Sequence, residues 1–281
     1  MYLFKTKNDL NAFLETYKKE GKKIGFVPTM GALHDGHLAL VTKARIECDL
    51  VVASIFVNPT QFNDPKDFEK YPVTIDQDIL KLESAWTDVL FLPSVSEMYP
   101  EGINAPHQVY DFGYLETVLE GAYRPGHFQG VGMIVHKLLD LVQPTRLYMG
   151  QKDFQQCMII RKLLEITGMP TELVVVPTKR EPNGLAMSSR NMRLSPEEKA
   201  LSIALYNGLN EIKQNFNQQP ISELTMLVSN NLQSIGFQVD YVSIVNSETF
   251  EVLDEKIDGK MVGLIAAKIG EIRLIDNMYL N

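Results

Sequence analysis

The run DLVVASIFV, residues 49–57, is apolar without alternation. An extended segment of that kind is stable only with both faces covered, as in the interior of a parallel sheet. Other strand-sized runs recur on either side of it: KIGFVP before, then TDVLFLP, RLYMG and ELVVVPT. Between them lie stretches of helical spacing at 8–20, 36–48, 131–143 and 153–168. The first places Leu10, Phe13, Leu14 and Tyr17 on one face and stops at Gly21. Thr74 and Gln77 carry the spacing of a capping box for a further helix through Leu82. Strands and helices in alternation specify an α/β fold, a parallel sheet wound by right-handed crossovers.

The pattern changes after residue 180. Ser195-Pro196-Glu197-Glu198 combines an N-cap, proline at the first helical position and a capping-box glutamate, opening a long helix. A second helix fits 221–235, and FQVDYVSIV, KMVGLIAAKIG and EIRLIDNMYL follow as strands, with KIGEIR as a turn. Helices followed by strands specify a smaller C-terminal α+β domain with an antiparallel sheet. The sequence therefore divides into 1–180 and 181–281, with the boundary zone at 180–195.

A chain of 281 residues has room for two such cores. With 27 basic and 35 acidic residues its net charge is −8, which argues against a large nucleic-acid footprint, since phosphate backbones demand a basic face. The longest apolar runs are strand-sized, far short of a membrane span, and the N-terminus lacks the apolar core of a signal peptide. Cys48 and Cys157 fall inside helical segments among apolar neighbours, as reduced core thiols do, and no CxxC spacing marks a metal or redox site. The expectation is a cytoplasmic protein with neither nucleic acid nor membrane as partner.

In parallel sheets, ligands bind at the carboxyl ends of the strands. PTMGALHDGH, NPTQF, GQKD and KREPNGLAMSSRN each follow one of the expected strands. The first puts His34 and His37 at a helix N-terminus, beside Gly31 and Gly36. HxxH is also half of a metal site, but no third ligand stands nearby. Phosphate binding uses the same features better, because imidazole N–H groups and helix-terminal amides both donate to phosphoryl oxygens. Lys152 stands at a strand-to-helix junction, where an ammonium reaches phosphates as a point charge, or else is simply solvated. Residues 179–193 carry Lys179, Arg180, Arg190 and Arg193 against Glu181 alone, with Gly184, Ser188 and Ser189 among them. A cationic loop with hydroxyls can clamp a polyphosphate that loses pyrophosphate. Gln61 and Gln156 are uncharged hydrogen bonders suited to a small hydroxy acid.

Taken in order, PTMGALHDGHLALV, FVNPTQF, YRPGHFQGV, GQKDFQQ and REPNGLAMSSRN resemble the pantoate–β-alanine ligase family from residue 23 to about 200. The resemblance implies a Rossmann-like, nucleotidylyltransferase-type sheet with a C-terminal lid domain, in a homodimer. It implies ATP as co-substrate, pantoate and β-alanine as substrates, and a pantoyl adenylate intermediate with release of pyrophosphate and AMP. By the same resemblance, Met30, Gly31, Ala32, Leu33, His34, Asp35, Gly36 and His37 line the ATP site, with His37 catalytic and His34 beside the phosphates. Gly150, Gln151, Lys152 and Asp153 hold nucleotide, Lys152 bridging phosphate oxygens, and Lys179 meets adenine through its backbone. Met187, Ser188, Ser189 and Arg190 form a mobile phosphate loop. Gln61, Gln156 and Asn58 bind pantoate, with Gln61 also facing β-alanine. Asp76 and Asp78 help to place Mg²⁺, which ATP phosphates mainly hold. Met149 departs from the family's phenylalanine and softens the expected pantoate wall. Two rival functions remain: an adenylyltransferase of the same HxGH superfamily that retains AMP on its product, and a non-enzymatic nucleotide sensor on the same fold.

Overall fold

The computed structural model describes all 281 residues, which cluster into two units: Met1–Gly150 with Gln156–Pro177, and Gln151–Gln155 with Thr178–Asn281. In chain order the first part comprises β1 (Tyr2–Phe4), α1 (Lys7–Lys19), β2 (Ile24–Thr29), α2 (Asp35–Glu47), β3 (Leu50–Ile55) and α3 (Pro65–Glu69). Then come α4 (Ile75–Ser84), β4 (Val89–Phe91), α5 (Val95–Met98), α6 (Glu120–Tyr123), α7 (His127–Val142), β5 (Arg146–Gly150), α8 (Phe154–Thr167) and β6 (Glu172–Val176). The six strands form one sheet in the order β1-β4-β3-β2-β5-β6, and every pair is parallel. Val51, Val52 and Ala53 of β3 are wholly buried, as an apolar run without alternation requires. Helix α1 covers the sheet through Leu10 and Leu14, both wholly buried.

The second unit holds α9 (Pro196–Asn215), α10 (Ile221–Ser234), β7 (Gln238–Asn246), β8 (Met261–Ile269) and β9 (Ile272–Tyr279). Its sheet is antiparallel with β8 in the middle. Leu205, Leu209 and Ile212 of α9 and Leu224 and Val228 of α10 cover that sheet and form its core. The capping box at Ser195 is formed: Ser195 Oγ accepts from the Glu198 amide at 3.1 Å, and Glu198 Oε2 accepts from the Ser195 amide at 2.9 Å.

The other expected capping box is absent. Thr74 precedes α4, but its side chain caps no amide; its hydroxyl donates to Asp78 Oδ1 at 3.1 Å. Strand β1 pairs with β4 at the sheet edge through only three residues, too few for a pattern to show in sequence. No helix is long and apolar enough to cross a membrane.

Candidate active site

Strand order reverses direction between β2 and β5: β3, β4 and β1 extend one way from β2, while β5 and β6 extend the other. Such a switch opens a crevice at the strands' carboxyl ends, here Thr29 and Gly150. Beyond Thr29 the backbone turns through two left-handed residues, Gly31 (φ +84°) and Ala32 (φ +48°). A Cβ on Gly31 would sit 3.0 Å from Ile55 Cγ2 and 3.1 Å from Asp78 Oδ2.

Asp78 explains that turn. Its carboxylate is wholly buried and accepts the amides of Ala32 (2.9 Å) and Leu33 (2.8 Å) besides the Thr74 hydroxyl. A buried carboxylate aimed at two backbone N–H groups is satisfied by them and holds them in place. Asp78, which the resemblance gives a part in placing Mg²⁺, has both oxygens engaged by the loop. Nowhere do three or more His, Cys, Asp or Glu residues group to hold a metal ion.

The loop delivers the histidine pair to the start of α2. His34 is the N-cap, its Nδ1 accepting the Gly36 amide at 3.1 Å, and His37 is the third helical residue, its Nδ1 accepting the His34 amide at 3.3 Å. The rings lie 4.0 Å apart, centroid to centroid. Because each Nδ1 accepts from a backbone N–H, each neutral ring carries its proton on Nε2. Sequence reasoning foresees the helix terminus but not this reciprocal cap, in which histidine takes the places usually held by serine and glutamate. The helix dipole adds positive potential at the same point.

NPTQF follows β3 and forms a tight turn, Pro59–Gln61. Asn58 is 1% exposed, and its amide is saturated. Its Nδ2 donates to Gln61 Oε1 and Gly130 O, both at 3.2 Å, while its Oδ1 accepts from Tyr99 Oη (2.7 Å) and Thr60 Oγ1 (3.1 Å). Asn58, which the resemblance puts in the substrate pocket, orients Gln61 in the structure. Gln61 Nε2 is turned to Met30 Sδ at 3.0 Å. The start of α7 fixes the same turn from the other side: His127 Nδ1 donates to Gln61 O at 2.7 Å, its Nε2 facing the Arg124 guanidinium at 3.1 Å. Gly130 permits this close docking, since a Cβ there would collide with Thr60 O. Sequence reasoning does not single out Tyr99 or His127 as supports of this turn, although His127 lies within YRPGHFQGV. Burial raises the Tyr99 phenol, so it remains a donor at neutral pH. Gln156 is partly exposed in the first turn of α8, and Met149 is buried in the first unit's core.

The remaining expected residues belong to the second unit. Gln151, Lys152 and Asp153 form a single turn after Gly150, with Lys152 Nζ 3.6 Å from Asp153 Oδ1. Residues 179–187 form a hairpin: the Met187 amide donates to Lys179 O (3.0 Å) and the Glu181 amide to Leu185 O (2.8 Å). Lys179 O therefore already accepts one bond within the protein. Ser188 Oγ caps the turn Ser189–Arg193 by accepting the Arg190 amide at 3.3 Å, and Ser189 is 7% exposed. Arg180 is engaged elsewhere in the second unit. It makes a two-pronged pair with Asp276 at 2.6 and 2.9 Å and lies over the Tyr206 ring. The net charge of +3 counted over 179–193 loses one unit to that pair, and Lys199 faces Glu181 at 2.8 Å.

A doubly wound parallel sheet, with an HxGH pair capping the helix that leaves its central strand, defines a Rossmann-like protein of the nucleotidylyltransferase type. The family model described as Pantoate-beta-alanine ligase matches residues 2–279. The pantothenate synthetase of Cytophaga hutchinsonii is 42% identical over 275 residues, 96% of each chain. That of Fervidobacterium nodosum is 44% identical over 284 residues, covering both chains fully. Among solved structures, pantothenate synthetase from Thermus thermophilus superposes with a TM-score of 0.92 at 43% identity, covering 100% of this chain and 99% of that one. Pantoate-beta-alanine ligase from Francisella tularensis, complexed with beta-gamma ATP and beta-alanine, gives a TM-score of 0.84 at 37% identity, covering 100% and 98%. The chain belongs to the pantoate–β-alanine ligase family.

Proposed function

We propose that this chain condenses pantoate with β-alanine in two steps driven by ATP. A pantoate carboxylate oxygen attacks the α-phosphorus, and pyrophosphate leaves with the electron pair of the broken P–O bond. The β-alanine amine then attacks the acyl carbon, the C–O bond to AMP breaks, and the amine proton is lost as the amide forms. A carboxylate is a poor acyl donor until its oxygen becomes a good leaving group, which adenylation accomplishes.

The observation that carries this reading is the reciprocal histidine cap. With both Nδ1 atoms held by backbone amides, His34 and His37 keep Nε2–H as fixed donors at a helix N-terminus. In this reading, charge growing on the transferring phosphate is met by His37 and His34, by Lys152, and by Ser188, Ser189 and Arg190. The backbone of Met30–Leu33, with Asp35 and Gly36, lines the nucleotide, as do Gly150, Gln151, Asp153, Lys179 and Met187. Gln61 and Gln156 bind pantoate. Mg²⁺ enters with ATP, held mainly by phosphate oxygens. The chain works as a cytoplasmic homodimer.

The retained-AMP reading has no observation in its favour. The test follows pyrophosphate and AMP separately with ATP and pantoate, with and without β-alanine. Pyrophosphate equal to enzyme sites should appear without the amine, and AMP only when it is added. Pyrophosphate without any amine-dependent AMP would establish an adenylyltransferase and refute the ligase reading.

A further inference from the structure

We propose that Asn277 is the positioning residue for Lys152. The proposal rests on the reading that Lys152 meets the phosphates of ATP. Asn277 lies on β9 and is 2% exposed. Its Nδ2 donates to two successive carbonyls, Gln151 O at 2.9 Å and Lys152 O at 2.8 Å, while its Oδ1 accepts from Gln151 Nε2 at 3.1 Å. Every polar atom of this buried amide is thus directed at the turn that carries the lysine. Burying an amide is costly unless all its bonds are made, so the side chain is specified by that turn.

Asn277 is itself held. Its backbone amide donates to Asp276 Oδ1 at 2.7 Å, and its carbonyl accepts from Arg180 Nη2 at 3.2 Å. Asp276 in turn binds Arg180 through both oxygens. Burial pushes the Asp276 carboxyl up, while the Arg180 guanidinium, the Asn277 amide and the nearby Lys152 ammonium pull it back down. The two peptide planes flanking the Lys152 Cα are therefore fixed by one side chain. A long flexible lysine stem gains precision only from a fixed root, since an error of about 1 Å at a reacting group can cost 10²-fold in rate.

The test is a double-mutant cycle on the full chain, read in two single-turnover assays. One measures pyrophosphate release from ATP and pantoate; the other measures conversion of supplied pantoyl adenylate by β-alanine. Asn277→Ala should slow the first by about tenfold or more and leave the second within about twofold. Placed on Lys152→Ala, the same change should add less than about twofold to the first, because the group it positions is already gone. Thermal unfolding establishes that the variants are folded. Should Asn277→Ala not fold, Asn277→Ser retains one donor and should show an intermediate loss with the same non-additivity. Full additivity with Lys152→Ala, or wild-type pyrophosphate release in the folded variant, would overturn the proposal alone. Wild-type release by Lys152→Ala itself would overturn the reading of Lys152 and this proposal with it.

Discussion

Replacing Asp78 by asparagine tests how the histidine loop is held. In the native chain Oδ1 serves Leu33 N and Thr74 Oγ1, and Oδ2 serves Ala32 N. Asparagine keeps one oxygen, so one side of the group survives. The other becomes an NH₂ facing the Ala32 amide, donor against donor, at a residue only 2% exposed. One charge-assisted hydrogen bond is lost and two buried donors are set against each other, a cost of about 2–4 kcal/mol. That is a large share of a typical domain stability of about 5–15 kcal/mol. Urea unfolding of Asp78→Asn should therefore show a lower midpoint with an unchanged slope. Adenylation should slow as well, since the loop leads directly into His34, yet the Mg²⁺ concentration for half-maximal rate should stay where it was. Wild-type stability together with a raised Mg²⁺ requirement would instead make Asp78 a metal ligand and not the anchor of the loop.

His37→Ala should slow pyrophosphate release by about 10²–10³-fold, the loss expected for one preorganised donor, in a single-turnover assay. It should also cost about 1 kcal/mol in denaturant unfolding, because the side chain caps the His34 amide. Tyr99→Phe removes the donor to Asn58 Oδ1 and should raise KM for pantoate about five- to tenfold while KM for ATP stays constant in steady-state assays. Gln156→Ala should weaken pantoate binding by about 1–3 kcal/mol and leave ATP binding unchanged, as measured by calorimetry with each substrate.

What is legible in the sequence is local or periodic. The unbroken apolar run at 49–57 announces a strand covered on both faces, and β3 is that strand. Ser195-Pro196-Glu197-Glu198 announces α9, because a capping box is complete within four residues. Thr74 and Gln77 have the same spacing, but Thr74 has ψ of 45°, and its hydroxyl turns to Asp78. A tertiary partner overrides the local pattern. Pairings between distant residues leave no local trace: Arg180 counts as free charge until Asp276, 96 positions later, neutralises it. The partners of Asn58 are hidden from the sequence for the same reason, since Tyr99 and Gly130 engage its amide from far along the chain. The histidine pair is legible as a ligand-binding helix terminus, whereas the tautomers follow only from the three-dimensional hydrogen bonds.

In the proposed reaction a pantoate oxygen becomes bonded to the α-phosphorus of ATP. Pantoate labelled with ¹⁸O in both carboxylate positions, turned over once with ATP and β-alanine, tests it most directly by mass spectrometry of the products. One ¹⁸O is expected in the phosphate of AMP, one in the amide carbonyl of pantothenate, and none in pyrophosphate. Unlabelled AMP, or label in inorganic phosphate formed alongside ADP, would contradict it.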